Sequence, residues 1–277
     1  MADAAGPPAA GPDAPEVPAW RVATMKALAR SPTPVRQSAF RTRRALARAL
    51  RRRREARGDF SRSYPALHDI DRQLEARLTG PGGFFVEAGG NDGFTQSNTY
   101  ALERRHGWRG ILVEPVPELA RACALERPSA RVVRAALVAD DTAGGEVTLR
   151  FGGLMTLIAE SREADEAWVA AAHAVGQEQP PHEFTAPART LTSILDEAGA
   201  PEVDLLSLDI EGYEPQALAG LDLERHAPRC ILVEMRDGVV DRAPIEAVLG
   251  ERYVEVEALS PFDFLYARDD VARTLSA

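Results

Sequence analysis

The sequence predicts an α/β fold: a doubly wound, mostly parallel seven-stranded sheet that ends in an antiparallel C-terminal hairpin. Three observations point to it. Apolar runs of strand length alternate with segments of helical spacing, as βαβ units do. Phe84-Phe85-Val86-Glu87 runs into a glycine-rich turn, Ala88-Gly89-Gly90-Asn91-Asp92-Gly93, and the next run, Gly110-Ile111-Leu112-Val113-Glu114, also ends in an acid. The last two runs, Tyr253–Ala258 and Phe262–Ala267, alternate in polarity and are joined by Leu259-Ser260-Pro261, a hairpin pattern.

In chain order, residues 1–20 are rich in Ala, Pro and Gly with almost no core-forming side chains, which predicts a disordered tail. Residues 21–63 form a basic arm. Between Arg21 and Arg57 there are 13 Lys/Arg and one acid, Glu55, whereas the 277-residue chain carries −9 overall. Residues 36–57 suit a helix with a thin apolar stripe (Phe40, Leu46, Leu50), a surface for weak contact with a membrane face or an acidic partner. The folded body spans 64–277.

Within it, Leu67, Ile70, Leu74 and Leu78 recur at helical spacing up to Gly80. The strand at 84–87 follows, then a helix over 97–106, the strand 110–114 and a helix over 117–126. A third strand is expected over 130–138 and an extra one over 146–151. Residues 152–189 break the rhythm. They hold a helical stretch, 161–174, and a loop with Pro180, Pro181 and Pro187, and read as a substrate-side insertion. Thr190 is the N-cap of a helix over 191–198. Val203-Asp204-Leu205-Leu206-Ser207-Leu208-Asp209 is nearly all apolar, as in a strand buried on both faces. A helix over 215–223, a strand over 230–234 and a helix over 243–249 precede the hairpin, which closes the sheet with a reversed edge strand.

Ligands of an open parallel sheet sit beyond the carboxyl ends of its strands. Glu87, Glu114, Asp209 and Glu234 all fall there. A phosphate-binding turn would be Gly-x-Gly-x-x-Gly with no acid ahead of it. Here Glu87 precedes Gly89 and Gly93, an order that suits a cationic ligand. S-adenosylmethionine, with an α-ammonium, a sulfonium and no phosphate, meets that description. Glu87 would accept from the ammonium, Gly89, Asn91 and Gly93 would shape the turn against it, and Glu114 would take the ribose hydroxyls. Asp209, in Asp209-Ile210-Glu211-Gly212-Tyr213-Glu214, ends the central strand beside that site and is the first candidate to orient the acceptor or take its proton. His182 is the second candidate base.

Phe85–Gly93 followed by Ser97-Asn98-Thr99, then Gly107-Trp108-Arg109-Gly110 leading into Val113-Glu114-Pro115, then Leu208–Glu214, resemble in order the motifs of the FkbM-type methyltransferases. The resemblance covers about 83–234. It implies a class I, Rossmann-like, S-adenosylmethionine-dependent fold and O-methylation of a hydroxyl on a sugar or natural product, with Glu87, Gly89, Gly93 and Glu114 at cofactor positions. Many members carry a lysine two residues before the motif aspartate; here Ser207 stands there. Two rivals share the fold: a non-catalytic binding protein, and a nucleic-acid methyltransferase using the basic arm. The net −18 of residues 58–277 would repel a phosphate backbone. A small-molecule substrate is therefore expected, with no nucleic acid.

The only two cysteines, Cys123 and Cys230, make no disulfide framework or metal site, and no spacing of Asp, Glu and His is diagnostic of a divalent metal. No apolar stretch reaches the roughly 20 residues needed to span a bilayer. Cytoplasmic location is the resulting expectation.

Overall fold

The computed structural model describes residues 33–78, 80–141, 144–152, 155–158, 182–235 and 242–275. The expected tail and the helix expected over 161–174 lie outside them. In chain order the elements begin with α1 (Thr33–Glu55), a 3₁₀ turn (Leu67–Asp69), α2 (Ile70–Arg77), β1 (Phe84–Ala88), α3 (Tyr100–His106), β2 (Arg109–Val113) and α4 (Pro117–Glu126). Then come β3 (Arg131–Val133), β4 (Ala136–Leu137), β5 (Glu146–Gly152), β6 (Met155–Ile158), β7 (His182–Arg189), α5 (Leu191–Ala198), β8 (Leu205–Leu208) and α6 (Glu214–Ala219). The chain ends with β9 (Cys230–Glu234), α7 (Arg242–Leu249), β10 (Tyr253–Ala258), β11 (Asp263–Arg268) and α8 (Asp269–Leu275). Among the described residues no helix is long and apolar enough to cross a membrane.

The chain divides into one unit through Leu50 and a second from Arg51. The second therefore starts earlier than Tyr64, where the apolar pattern places it. The cause is polar and invisible to that pattern: Arg51, Glu55 and Ser63 are buried, and Glu55 pairs with Arg104 at 2.9 Å and accepts from Ser63 at 2.7 Å.

The main sheet has seven strands in the order β10-β11-β9-β8-β1-β2-β3. β9, β8, β1, β2 and β3 are parallel, and β11 is antiparallel to both β9 and β10. The reversed strand is thus the penultimate one, not the edge. β11 fills the gap between β9 and β10, while β10 carries a register irregularity between Glu255 and Glu257.

The pleat sorts side chains to two cores. Val86, Ala88, Ile111, Val113, Leu206, Leu208, Ile231 and Val233 pack with Leu191, Ile194, Leu218 and Ile245 of α5, α6 and α7. Phe85, Leu112, Leu205, Leu232 and Leu265 pack on the other face with Leu74, Leu102, Cys123 and Val271 of α2, α3, α4 and α8. Each buried aliphatic or aromatic side chain contributes about 1.5–3 kcal/mol of transfer free energy, so both helical layers are firmly seated. The same parity places Glu87 on the Phe85 face, towards α3 and α4.

Three elements differ from the sequence pattern. The run over 130–138 is two strands. β3 stays in the main sheet, and β4 leaves it for a second sheet of order β4-β7-β5-β6. The segment expected as a proline loop is partly β7, in which Pro187 pairs with Glu146 of β5. Ala188 donates to Gly145 on the β5 side, so the missing N–H of Pro187 falls on the opposite edge, before β4 begins. The helix expected from Leu67 starts at Ile70, because His68 and Asp69 take left-handed conformations (φ 53° and 54°).

Thr190 caps α5 as expected: its side chain accepts from Ser193 N at 3.0 Å. Thr190→Ala should lower stability by about 1 kcal/mol, read as a lower urea midpoint at unchanged slope. No change would show that Asp141, which also accepts from Thr190 N, satisfies the helix start alone.

Candidate active site

Glu87 is buried near the end of β1, and both its carboxylate oxygens hold the loop between β1 and α3. One accepts from Asn98 N at 2.8 Å. The other accepts from Ser97 Oγ at 2.9 Å and Thr99 Oγ1 at 2.6 Å. Behind it the fully buried Arg127 guanidinium lies 3.6 Å from that second oxygen and donates to Glu103, Ser97 Oγ and Thr99 Oγ1. Burying a carboxyl is costly unless it meets a compensating charge and hydrogen-bond donors; this one meets both. Asn98 also reaches sideways to donate to Ser207 Oγ at 3.1 Å, so the serine of the Asp209 strand is tied to the same loop.

The turn itself is shaped by close approaches. Gly89 has φ +86°, and a Cβ there would lie 1.9 Å from the Asp209 carbonyl oxygen. Only glycine lets β1 pass so near the tip of β8. Gly93, at φ +82°, faces away from the strand tips: a Cβ would meet Cys123 Cα at 3.0 Å and Arg127 Cγ at 3.1 Å. Its place is therefore against α4, and it is not among the described residues that line the cavity below. Asn91, at φ 47°, donates its N–H to Glu114 at 2.8 Å, and Val116 N donates to the other Glu114 oxygen at 2.9 Å. Burial, with Asp92 nearby, pushes the Glu114 carboxyl up to about 8.

Asp209 follows β8. Its carboxyl is driven well above the usual carboxylate range by burial and by the field of Glu234, with which it shares a hydrogen bond, and of Glu211. Glu214, fully buried at the start of α6, accepts from Ile210 N and Gly212 N and is raised to about 7 by burial. It closes the 210–214 turn, in which Glu211 takes φ 57°.

These groups meet around a cavity of about 980 Å³, counted with its open mouth. Glu87, Gly89, Asn91, Glu114 and Asp209 line it, joined by Thr95, Gln96 and Asn98 of the loop after β1, and by Glu211 and Tyr213. Leu119, Leu137 and Leu149 form an apolar wall, the last two from the second sheet. Four carboxylates line the cavity, and among the described lining residues there is no Lys, Arg or His.

The model of the methyltransferase FkbM domain matches residues 87–258, more than half of the chain. The chain belongs to the FkbM methyltransferase family. No curated protein matches it. A solved FkbM methyltransferase from Methylobacillus flagellatus is 14% identical with a TM-score of 0.41; the alignment covers 67% of this chain and 43% of that one. The chain thus spans less than half the length of that relative. A TehB-like SAM-dependent methyltransferase from Corynebacterium glutamicum, also 14% identical with TM-score 0.41, is covered in full by 85% of this chain.

The FkbM domain thus gathers five of the seven residues singled out from sequence. Gly93 lies against α4 instead. His182 opens β7, paired with Phe151, and its side chain lies outside the described residues. Sequence reasoning missed Arg127: it sits between Glu126 and Pro128 in no motif, and its signal is only that it is a buried arginine. Cys123 and Cys230 are buried free thiols, so they supply no disulfide. His106 and His226 pair with Glu75 (2.5 Å) and Asp196 (2.8 Å). Among the described residues no His/Cys/Asp/Glu group has the arrangement of a metal site.

The raised Glu114 carboxyl has a stability consequence. Between pH 4.5 and about 8 the unfolded chain releases this proton while the folded chain keeps it, so rising pH costs stability across that window. Urea denaturation of the ligand-free protein at pH 5 and pH 8 should show a loss that Glu114→Gln reduces by about 2–4 kcal/mol. Equal pH dependence in the two proteins would show that Glu114 titrates normally.

Proposed function

We propose that this FkbM domain is an S-adenosylmethionine-dependent methyltransferase acting on a hydroxyl of a sugar or natural-product small molecule. The observation that carries the proposal is the acid-lined cavity at the tips of β1, β2 and β8. Four acidic side chains with no Lys, Arg or His among the described lining residues favour a cationic ligand over a phosphorylated one, because a bound cation draws the raised Glu114 and Asp209 carboxyls back towards their charged form. Each Glu114 oxygen accepts one backbone N–H and keeps a lone pair for a ribose hydroxyl. The Glu87 oxygen bonded to Asn98 N likewise retains capacity for an ammonium. Leu119, Leu137 and Leu149 offer a wall for a flat base. Bound there, S-adenosylmethionine supplies a methyl group on a sulfonium.

Asp209 shares a hydrogen bond with Glu234, and burial together with the field of Glu234 holds the Asp209 carboxyl well above the usual carboxylate range. An acceptor hydroxyl near Asp209 can donate to an oxygen of this pair, which orients the acceptor and takes up its proton as the bond to carbon forms. A carboxylated or phosphorylated acceptor would meet repulsion from the same groups, so a neutral hydroxyl compound fits best. A non-catalytic relative on this fold would bind cofactor without turnover. A nucleic-acid substrate is disfavoured by the acidic body.

Calorimetric titration with S-adenosylmethionine tests the cofactor, and saturable binding below millimolar concentration is expected. Glu114→Ala should weaken binding about 10- to 100-fold, the loss of one or two hydrogen bonds to the ribose. Asp209→Asn should lower kcat about 100-fold or more while leaving cofactor affinity near that of the unaltered chain. No heat at millimolar ligand would sink the cofactor assignment. Equal effects of the two substitutions on binding and turnover would remove Asp209 from the reaction.

A further inference from the structure

The loop between β1 and α3 is held from two sides. Glu87 and Arg127 hold its inner side, and the last turn of α1 holds its outer side. The Arg51 guanidinium lies 3.4 Å from the centroid of the Phe94 ring and donates to Tyr100 Oη at 3.0 Å. It also pairs with Glu126 at the end of α4. Phe94 and Tyr100 meet edge to face, with centroids 4.9 Å apart and an interplanar angle of 85°. Tyr100 Oη donates in turn to Glu55 at 2.9 Å, one turn beyond Arg51 on the same helix. Arg52 anchors that turn by donating to the carbonyls of Leu125 and Glu126 at 2.9 Å, the negative end of α4.

Phe94 and Tyr100 therefore bracket Thr95, Gln96 and Asn98, three residues that line the cavity. Gln96 stands at φ 61°. A non-glycine residue in the left-handed region is strained by about 1 kcal/mol or more and persists only where its surroundings hold it. Within the loop, Ser97 N donates to the Phe94 carbonyl at 3.1 Å and Asp92 accepts from Phe94 N and Thr95 N. The bracket adds an outer hold at both ends of the segment: a planar cation stacked on one ring and bonded to the next.

We propose that Arg51 is a positioning residue for the cofactor loop: through Phe94 and Tyr100, the last turn of α1 sets the placement of residues 95–98 and with it the affinity for the cofactor. Arg51 does not line the cavity and takes no part in the reaction. The proposal rests on the cofactor assignment above for its affinity consequence, but not for its structural one. It gives the C-terminal turn of the basic arm a function that is independent of the charge of the preceding turns.

The test uses full-length chain and two readouts. In Arg51→Ala, backbone amides of residues 95–98 should exchange with deuterium about tenfold faster, the equivalent of losing one charge-assisted hydrogen bond, while those of β1 and β8 keep their rates. The S-adenosylmethionine Kd should rise by about the same factor, with kcat at saturation unchanged within about twofold. Arg51→Lys keeps the pair with Glu126 but loses the flat stack on Phe94, and should fall between. Tyr100→Phe, which keeps the ring and removes the bonded oxygen, is the second variant should the first fail to fold; the same local exchange is expected. Arg43→Ala and Arg48→Ala, on earlier turns of α1, should change neither readout. The proposal falls if Arg51→Ala or Tyr100→Phe leaves exchange at 95–98 unaltered, or if the Arg43 and Arg48 variants reproduce the effect. Failure of the unaltered chain to bind S-adenosylmethionine would sink the cofactor assignment alone, and the exchange contrast would still decide the positioning role.

Discussion

The buried Glu87 carboxylate is the constraint on which the strand-tip end of this protein depends. Its position follows from strand parity, which sends it to the Phe85 face at the end of a parallel strand. There it must be neutralised and hydrogen-bonded, because an isolated buried carboxylate is far too costly. Arg127 answers the charge, and Ser97, Asn98 and Thr99 answer the lone pairs. Satisfying one acid thereby folds a whole loop over the end of the sheet. That loop brings Thr95, Gln96 and Asn98 to the cavity and Phe94 and Tyr100 to α1.

The remaining acids are arranged on a different principle. Glu114 and Glu214 are buried and Asp209 is half-buried, none with a guanidinium of its own, and their carboxyls are raised accordingly. Glu114 and Glu214 are held by backbone N–H groups of tight turns, so their geometry is preorganised even where their charge is suppressed. Such a rim is unfavourable for the empty protein and becomes favourable when a cation or a set of hydroxyl donors arrives. Two strained residues, Gln96 and Glu211, lie on the same rim, consistent with strain collecting where a ligand is gripped.

Much of this was legible in the chain. The five parallel strands, the hairpin, the Thr190 cap and the strand-tip placement of Glu87, Glu114, Asp209 and Glu234 all follow from periodicity and from where the apolar runs stop. Gly89 was legible as a close approach, although what approaches it is the Asp209 carbonyl. Gly93 was not separable from Gly89, since two glycines in one turn look alike until the turn is folded. The 130–138 run concealed two strands of different sheets, because apolar pattern records burial and not the partner that buries.

Local pattern by itself determined the class of fold and the order of the acids that end its parallel strands. Each of those depends on residues close together in the chain, where spacing is equivalent to geometry. Only tertiary structure decided that Arg127 stands behind Glu87, that Asp209 and Glu234 are hydrogen-bonded, and that the body begins at Arg51. Those are pairings of polar groups from 25 (Asp209–Glu234) to 75 (Arg51–Glu126) positions apart. No periodicity reports them, because what selects them is the electrostatic cost of leaving a buried charge alone.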